Sequence, residues 1–304
     1  MNTNTPRSVE DYLRQLRAAL EDQDPALLQD ALYDAEEYLR AEIAAHGDKS
    51  EADVLELIAS TYGAPEEVAA AYRDTEIKVA AALRAPPKPR ASNALGRFFG
   101  VFSDARAYAG LLFMLFSFAT GILYFTVTVA GISLSLGLAL LIIGVPFFIA
   151  FIGVTRVLAL VECRLVESIS GVRMPRRPQH PGAPQNFWGR VRDVLTDTRT
   201  WTTLGYNVLM LPLGILYFTL ALVGVTVSLG FIAVPVIETI RAFGGLNPDS
   251  VLGRGGIEPE WLNSPLGFFL CFVAGVLILT LTLHASRGIA RGHATLAKTM
   301  LVLP

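Results

Sequence analysis

The chain has 304 residues, 52% of them hydrophobic, with a formal charge of −2 at pH 7, and its mean hydropathy of +0.46 excludes an ordinary soluble protein of this size. The near-neutral total hides a division: residues 1–77 carry 18 Asp and Glu against 6 Lys and Arg, and the other 227 carry 9 against 19. An acidic soluble domain is joined to a basic membrane domain, and the acidic charge argues against direct nucleic-acid binding.

The first residues, "MNTNTPRSVEDYLRQL", lack the charged start, apolar run and small-residue cleavage site of a signal peptide, so the N-terminal domain is expected in the cytoplasm. Ser8 and Asp11 have capping-box spacing, and Val9, Tyr12, Leu13, Leu16 and Leu20 lie on one helical face. Asp24 before Pro25 starts a second helix ending near Gly47. Ser50 with Asp53 starts a third, stopped by Gly63, and Pro65 opens a fourth running to about Arg84. "APPKPRAS" then breaks the helix. The expected divisions are an acidic helical domain at 1–84, a Pro/Arg-rich linker with an interfacial helix at 85–103, and a membrane domain at 104–304.

The stretches "VEDYLRQLRAAL", "EEYLRAEIAAHG" and "SEADVLELIASTYGAPEEVAAAY" resemble the bacterial HAAS signalling domain over about residues 8–75. The most specific part is Gly63, Pro65, Glu66, Glu67, Val68 and Ala69. The second helix departs from the family: Glu37 and Tyr38 are present, but no histidine follows until His46. The resemblance implies a regulatory, non-catalytic module that partners a PadR-like transcriptional regulator, with Tyr38, Gly63, Pro65, Glu66 and Glu67 as a candidate partner surface.

Beyond the linker, charge disappears in three places. No Asp, Glu, Lys or Arg lies between Arg106 and Arg156, between Arg199 and Glu238, or between Glu260 and Arg287. A crossing needs about 20 apolar residues, so the first gap holds two crossings and the last holds one. The middle gap holds one, or one plus a short partner at about 229–240.

The hexamer "GILYFT" occurs at 121–126 and again at 214–219. Laying 93–137 over 186–230 without a gap gives 17 identities in 45, including Asn93 with Asn186, Asp104 with Asp197 and Arg106 with Arg199. Apolar composition does not place Asn, Asp and Arg in register, so the chain reads as a tandem duplication. Each copy starts with an aromatic and Arg-rich segment suited to headgroup level. An Asp-x-Arg pair then marks the membrane edge (Asp104 and Arg106; Asp197 and Arg199), and a crossing ends at a Gly-x-x-x-Ser-Leu-Gly turn. The exits match through Arg156 to Ala159 and Arg287 to Ala290.

The expected fold is all-α: a small helical bundle followed by two tandem membrane hairpins with crossings at about 108–131, 134–155, 203–228 and 265–285, four in all unless 229–240 adds a fifth. Residues 78–106, 156–199 and 286–304 hold 6, 8 and 3 Lys and Arg, against 2 in 231–264 beside 4 acids. The positive-inside rule then puts both termini in the cytoplasm, and the HAAS resemblance implies a bacterial inner membrane.

The stretches "PLGILYFTLALVGVTVSLG", "TRVLALVECRLVES", "DTRTWTTLGYNVLMLPLG" and "HASRGIARGHATLAKTML" resemble the bacterial sensor membrane domain that precedes histidine kinases or occurs free, over about residues 105–304. Cys163 departs from its pattern, in which Arg directly follows the Glu. The resemblance carries no catalytic residues.

No His-Glu-x-x-His, Cys-x-x-Cys or clustered metal ligands are present, so no metal, cofactor or enzymatic role is expected. Cys163 and Cys271 imply no disulfide. His293 reads as a polar residue on an interfacial helix, and His284 as a headgroup-level histidine with a pH-sensing role open. With no ionisable residue in the proposed crossings, ion pumping is disfavoured. Gly121, Tyr124, Thr126, Gly214, Tyr217 and Thr219 read as a helix-packing patch or a lipophilic-ligand site. The leading expectation is a non-enzymatic membrane sensor coupled to a cytoplasmic regulator, in contact with membrane lipid and with homo-oligomerisation left open. The alternative is a transporter or permease-like subunit with a regulatory domain.

Overall fold

The computed structural model describes residues 6–47, 49–83, 93–139, 143–177, 187–244 and 264–302. Among these there is no strand. The first four helices are α1 (Val9–Ala19), α2 (Pro25–Ala45), α3 (Glu51–Thr61) and α4 (Pro65–Leu83). Each of the first three begins where a side chain satisfies an orphan amide. Ser8 Oγ accepts from the Asp11 amide at 3.2 Å, Asp24 Oδ1 from Ala26 at 2.9 Å, and Ser50 Oγ from Asp53 at 3.3 Å. The apolar faces meet in a core containing Tyr12, Leu16, Leu39 and Leu55, all fully buried.

The junction of α3 and α4 explains the Gly-x-Pro-Glu-Glu spacing. Gly63 has φ +109, a conformation that a Cβ opposes, and it ends α3. Pro65 takes the first position of α4, and Glu67 Oε2 accepts from the Ala64 amide at 3.1 Å, the return half of a capping box. The Tyr12 hydroxyl donates to the Gly63 carbonyl at 2.9 Å. Burial pushes that hydroxyl far above its ordinary pKa, aided by Tyr62, Glu66 and Glu67 nearby, so it stays a donor.

A short helix α5 (Ala94–Phe99) continues as a 3-10 turn, Gly100–Ser103, before α6 (Ala105–Ala139). Then come α7 (Gly144–Ser170), α8 (Phe187–Thr196), α9 (Thr198–Gly244) and α10 (Pro265–Leu301). Four helices are long and apolar enough to cross a membrane: α6, α7, α9 through Ile237, and α10. At 1.5 Å per residue, 35, 27, 47 and 37 residues correspond to about 52, 40, 70 and 55 Å. All exceed the ~30 Å of bilayer hydrocarbon.

Two expectations change. The Gly-x-x-x-Ser-Leu-Gly segments are not turns: Gly131 to Gly137 lies inside α6 and Gly224 to Gly230 inside α9. Apolar surroundings offer the backbone no water, so leaving the helix has no reward. Ser135 Oγ donates back to the Gly131 carbonyl at 2.6 Å, and Ser228 Oγ to Val225 at 2.8 Å. Residues 229–240 do not form a separate helix either; they continue α9 without a break. The expected linker, apart from Asn93 onward, and Trp261 and His180 lie outside the described residues.

Contacts divide the chain into two units: Met1–Pro89 with Thr126–Val208 and His293–Pro304, and Arg90–Phe125 with Leu209–Gly292. The first contains the bundle, α7, α8, the end of α6 from Thr126, the start of α9 to Val208 and the end of α10 from His293. The second contains α5 and the remaining lengths of α6, α9 and α10.

Candidate functional site

Each Asp-x-Arg pair is a helix start. Asp104 Oδ1 accepts from the Arg106 amide at 3.1 Å, and Asp197 Oδ1 from the Arg199 amide at 3.0 Å. Two positions further on, the Tyr108 hydroxyl donates to the Phe102 carbonyl at 3.0 Å and Trp201 Nε1 to Leu195 at 2.9 Å. Every member of the second set lies 93 positions after its counterpart. The aspartates also bind the exit arginines, crosswise between the two matched stretches of sequence. Asp104 pairs with Arg287 at 3.0 Å in one unit, and Asp197 with Arg156 at 3.5 Å in the other.

The hexamers divide by helical face. Gly121 packs on the Met210 backbone, and Gly214 packs reciprocally on Ser117, again 93 positions apart; a methyl group on either would overlap the facing carbonyl oxygen. Tyr124 and Tyr217 are buried, the latter beside the Phe113 ring at 6.4 Å. Thr126 and Thr219 are exposed, off the packed face, because they stand five residues from the glycines rather than three or four. Contact this close leaves no room for a lipophilic ligand at the glycines.

Within the first unit, the acidic bundle grips the basic segment after α7. The Gly171 C-cap at φ +68 turns the chain into residues 172–177. Asp30, 6% exposed, accepts from the Arg176 and Arg177 amides at 2.7 and 2.8 Å on one oxygen and from Arg173 at 3.1 Å on the other. Arg173 also pairs with Glu76 at 3.0 Å, and Arg177 with Asp34 at 2.8 Å. The Gln29 amide donates to the Arg177 carbonyl at 2.6 Å and accepts from Arg199 at 2.6 Å. Lys298, near the end of α10, reaches Asp24 at 2.5 Å. Burial raises the Asp30 carboxyl above its ordinary range against the pull of the two amides and Arg173, so keeping the charge there takes the full set of donors. Exposed ion pairs contribute little; the buried Asp30 with three donors is the anchor.

Deeper in the same unit, three helices converge on a polar cluster. The Tyr206 hydroxyl donates to Glu162 Oε1 at 2.9 Å and lies 2.9 Å from His293 Nε2, which stands 3.3 Å from the same carboxylate oxygen. All three are essentially excluded from solvent. His293 is therefore a core residue, not an interfacial one. Glu162 and His293 stand where α7 and α10 run past the ends expected for the crossings, and Tyr206 stands near the start of the crossing expected at 203–228.

Across residues 113–301 the chain matches the model of the family described as "Putative sensor". The chain belongs to this sensor family. Among curated proteins and solved structures no match was found. The span matched by the sensor family contains the 172–177 segment, Arg199, Glu162, Tyr206 and His293, whereas the bundle and the Asp104 start precede it.

The partner-surface residues expected in this sensor protein are not part of the grip. Tyr38 stacks on Tyr62 with centroids 4.4 Å apart, Gly63, Pro65 and Glu67 build the α3–α4 junction, and Glu66 and Glu67 remain exposed. Sequence reading missed Gln29, Asp30, Glu162 and Tyr206. A signal for one pair was present: Glu162 and His293 each stand six residues after an exit arginine. In the second unit, His284 Nε2 lies 3.0 Å from the Phe98 carbonyl and stacks on that ring. Cys163 and Cys271 are buried free thiols. No metal-ligand cluster occurs among the described residues.

Proposed function

We propose that this chain is a non-enzymatic sensor of the bacterial cytoplasmic membrane, with both termini in the cytoplasm. Its two sequence copies form a tandem duplication. The acidic bundle, HAAS-like by resemblance, passes the state of the membrane helices to a cytoplasmic regulator, PadR-like by the same resemblance. The observation that carries this reading is the grip on Asp30: one buried carboxylate holds two backbone amides and a guanidinium from the segment leaving α7. A shift at the inner end of α7, α9 or α10 therefore changes how the bundle is held, and with it which faces a partner meets. Glu66 and Glu67 supply an acidic face outside the grip.

The test compares full-length wild-type and Asp30→Ala protein in nanodiscs for binding a purified PadR-like regulator. Expected is binding that changes severalfold on release of the bundle; no binding by either form sinks the partner assignment. Impermeant maleimide should label a cysteine placed at Trp261 only from outside the cell, and labelling from within would overturn the topology.

A proton-coupled transporter is the second reading, favoured by the buried Glu162–Tyr206–His293 cluster, since buried ionisable groups adjoining the crossings can mark an ion path. Uptake driven by a pH gradient in proteoliposomes, abolished by Glu162→Gln, would support it.

A further inference from the structure

Beside the grip, wholly within the first unit, lies a cavity of about 100 Å³. Its wall includes Arg156 and Asp197, Arg199, and the hydroxyl-bearing Thr155, Thr200 and Thr203, closed by apolar groups such as Leu160 and Leu301. Gln29 of the bundle also lines it. Two guanidiniums face one carboxylate, so the lining carries one net positive charge. Asp197 is engaged with Arg156. Arg199 bonds only neutral acceptors, Leu301 O at 2.8 Å and Gln29 Oε1 at 2.6 Å, and makes no ion pair with a described residue. The Asp197 carboxylate attracts Arg199 but forms its ion pair with Arg156, so part of the desolvation of this half-buried guanidinium is left uncompensated.

The molecule contains its own comparison. Counted from the matched starts and exits, Thr203, Thr200, Thr155 and Arg199 correspond to Gly110, Ala107, Ser286 and Arg106 in the second unit. There the same place is shut. A Cβ on Gly110 would stand 2.8 Å from the Ser286 carbonyl oxygen, and Ser286 Oγ donates to the Ala107 carbonyl at 2.8 Å. Arg106 is exposed. Replacing Gly and Ala by two threonines props the first unit open, and its arginine lines the space so made.

We infer that this cavity binds an oxyanion of the phosphate class, held by the Arg156 and Arg199 guanidiniums with the Thr203 hydroxyl alongside. The Thr155 and Thr200 hydroxyls already donate to the Ile152 carbonyl and Asp197. Guanidinium forks match phosphate oxygens. At ~30 Å³ per water the space takes about three waters, the scale of one tetrahedral group and not of a nucleotide. Its position where the apolar run of α9 begins suits a lipid headgroup phosphate as well as a free ion. Because Gln29 both lines the cavity and binds Arg199, an anion competing for that guanidinium loosens the bundle's hold. As the input of the proposed sensor this role rests on that reading; the binding itself does not need a partner to be measured.

The experiment uses the full-length chain in phospholipid-free maltoside micelles, titrated with inorganic phosphate and, separately, with phosphatidylglycerol. Thermal midpoint and amide exchange of residues 172–177 are read. A saturable response to phosphate indicates the free ion, and a response to phosphatidylglycerol alone indicates the headgroup. Ala159→Leu, which fills the cavity while keeping both guanidiniums, and Arg156→Gln should each weaken the response about tenfold, while Arg106→Gln leaves it unchanged. No response to either probe, or equal responses in Ala159→Leu, Arg156→Gln and Arg106→Gln, would overturn the site. Anion binding with unaltered exchange would keep the site and count against the sensor reading.

Discussion

Asp30 is the residue on which the bundle's attachment turns. Asp30→Asn keeps the size of the side chain but removes the charge that holds Arg173 and strengthens two amide bonds. Charge-assisted bonds contribute about 2 kcal/mol, so exchange of the Arg176 and Arg177 amides should speed roughly 30-fold, measured by hydrogen-exchange mass spectrometry. The buried cluster obeys a different rule, since removing one member strands the others. Tyr206→Phe should cost about 1–3 kcal/mol and His293→Ala about 3–5 kcal/mol, read as falls in thermal midpoint in detergent. The double variant should fall short of the sum. Neither group of residues announces itself locally: Asp30 is one acid among 18 in the first 77 residues, and what selects it is a chain segment almost 150 positions away.

At the scale of elements, the glycines of the repeated hexamer set how closely α6 and α9 approach. Gly121 and Gly214 face each other's neighbours reciprocally, so Gly121→Ala and Gly214→Ala should destabilise by similar amounts, about 1–3 kcal/mol each. Their combination should cost less than the sum because either one already forces the helices apart; thermal denaturation of the four proteins tests it. Helix starts were legible in the sequence because capping is local: Ser8, Asp24 and Ser50 each satisfy an amide two or three residues ahead. Helix ends in the membrane were not. Glycine and serine signal a turn only where water competes for the backbone, and in α6 and α9 Ser135 and Ser228 bond back to their own helices instead. Residue type alone put Thr126 in one patch with Gly121 and Tyr124; helical period separates it, and only the first two fall on the packed side.

At the scale of the whole molecule, the charge split visible in composition becomes a physical attachment: the acidic bundle binds part of the basic surplus of its own chain. Most of those pairs, such as Arg177 with Asp34 and Lys298 with Asp24, stay partly open to water, so they are screened within about 10 Å at 0.1 M salt and 3 Å at 1 M. Raising salt from 0.1 to 1 M should therefore increase exchange along residues 172–177 severalfold while leaving the apolar core around Leu16 and Leu55 protected; equal change in both would mean the bundle unfolds rather than lifts. The acidic–basic division and the four long helices were readable from composition. Which acid meets which base was not, because that depends on how α2 is presented to the segment after α7.

Glu162 and His293 occupy matched places after their exit arginines, and each supplies what the other lacks. If the gene were cut in two and one half supplied in duplicate, carboxylate would face carboxylate, or imidazole would face imidazole, in a space without solvent. The two positions are complementary, and neither half of the chain can be exchanged for a second copy of the other.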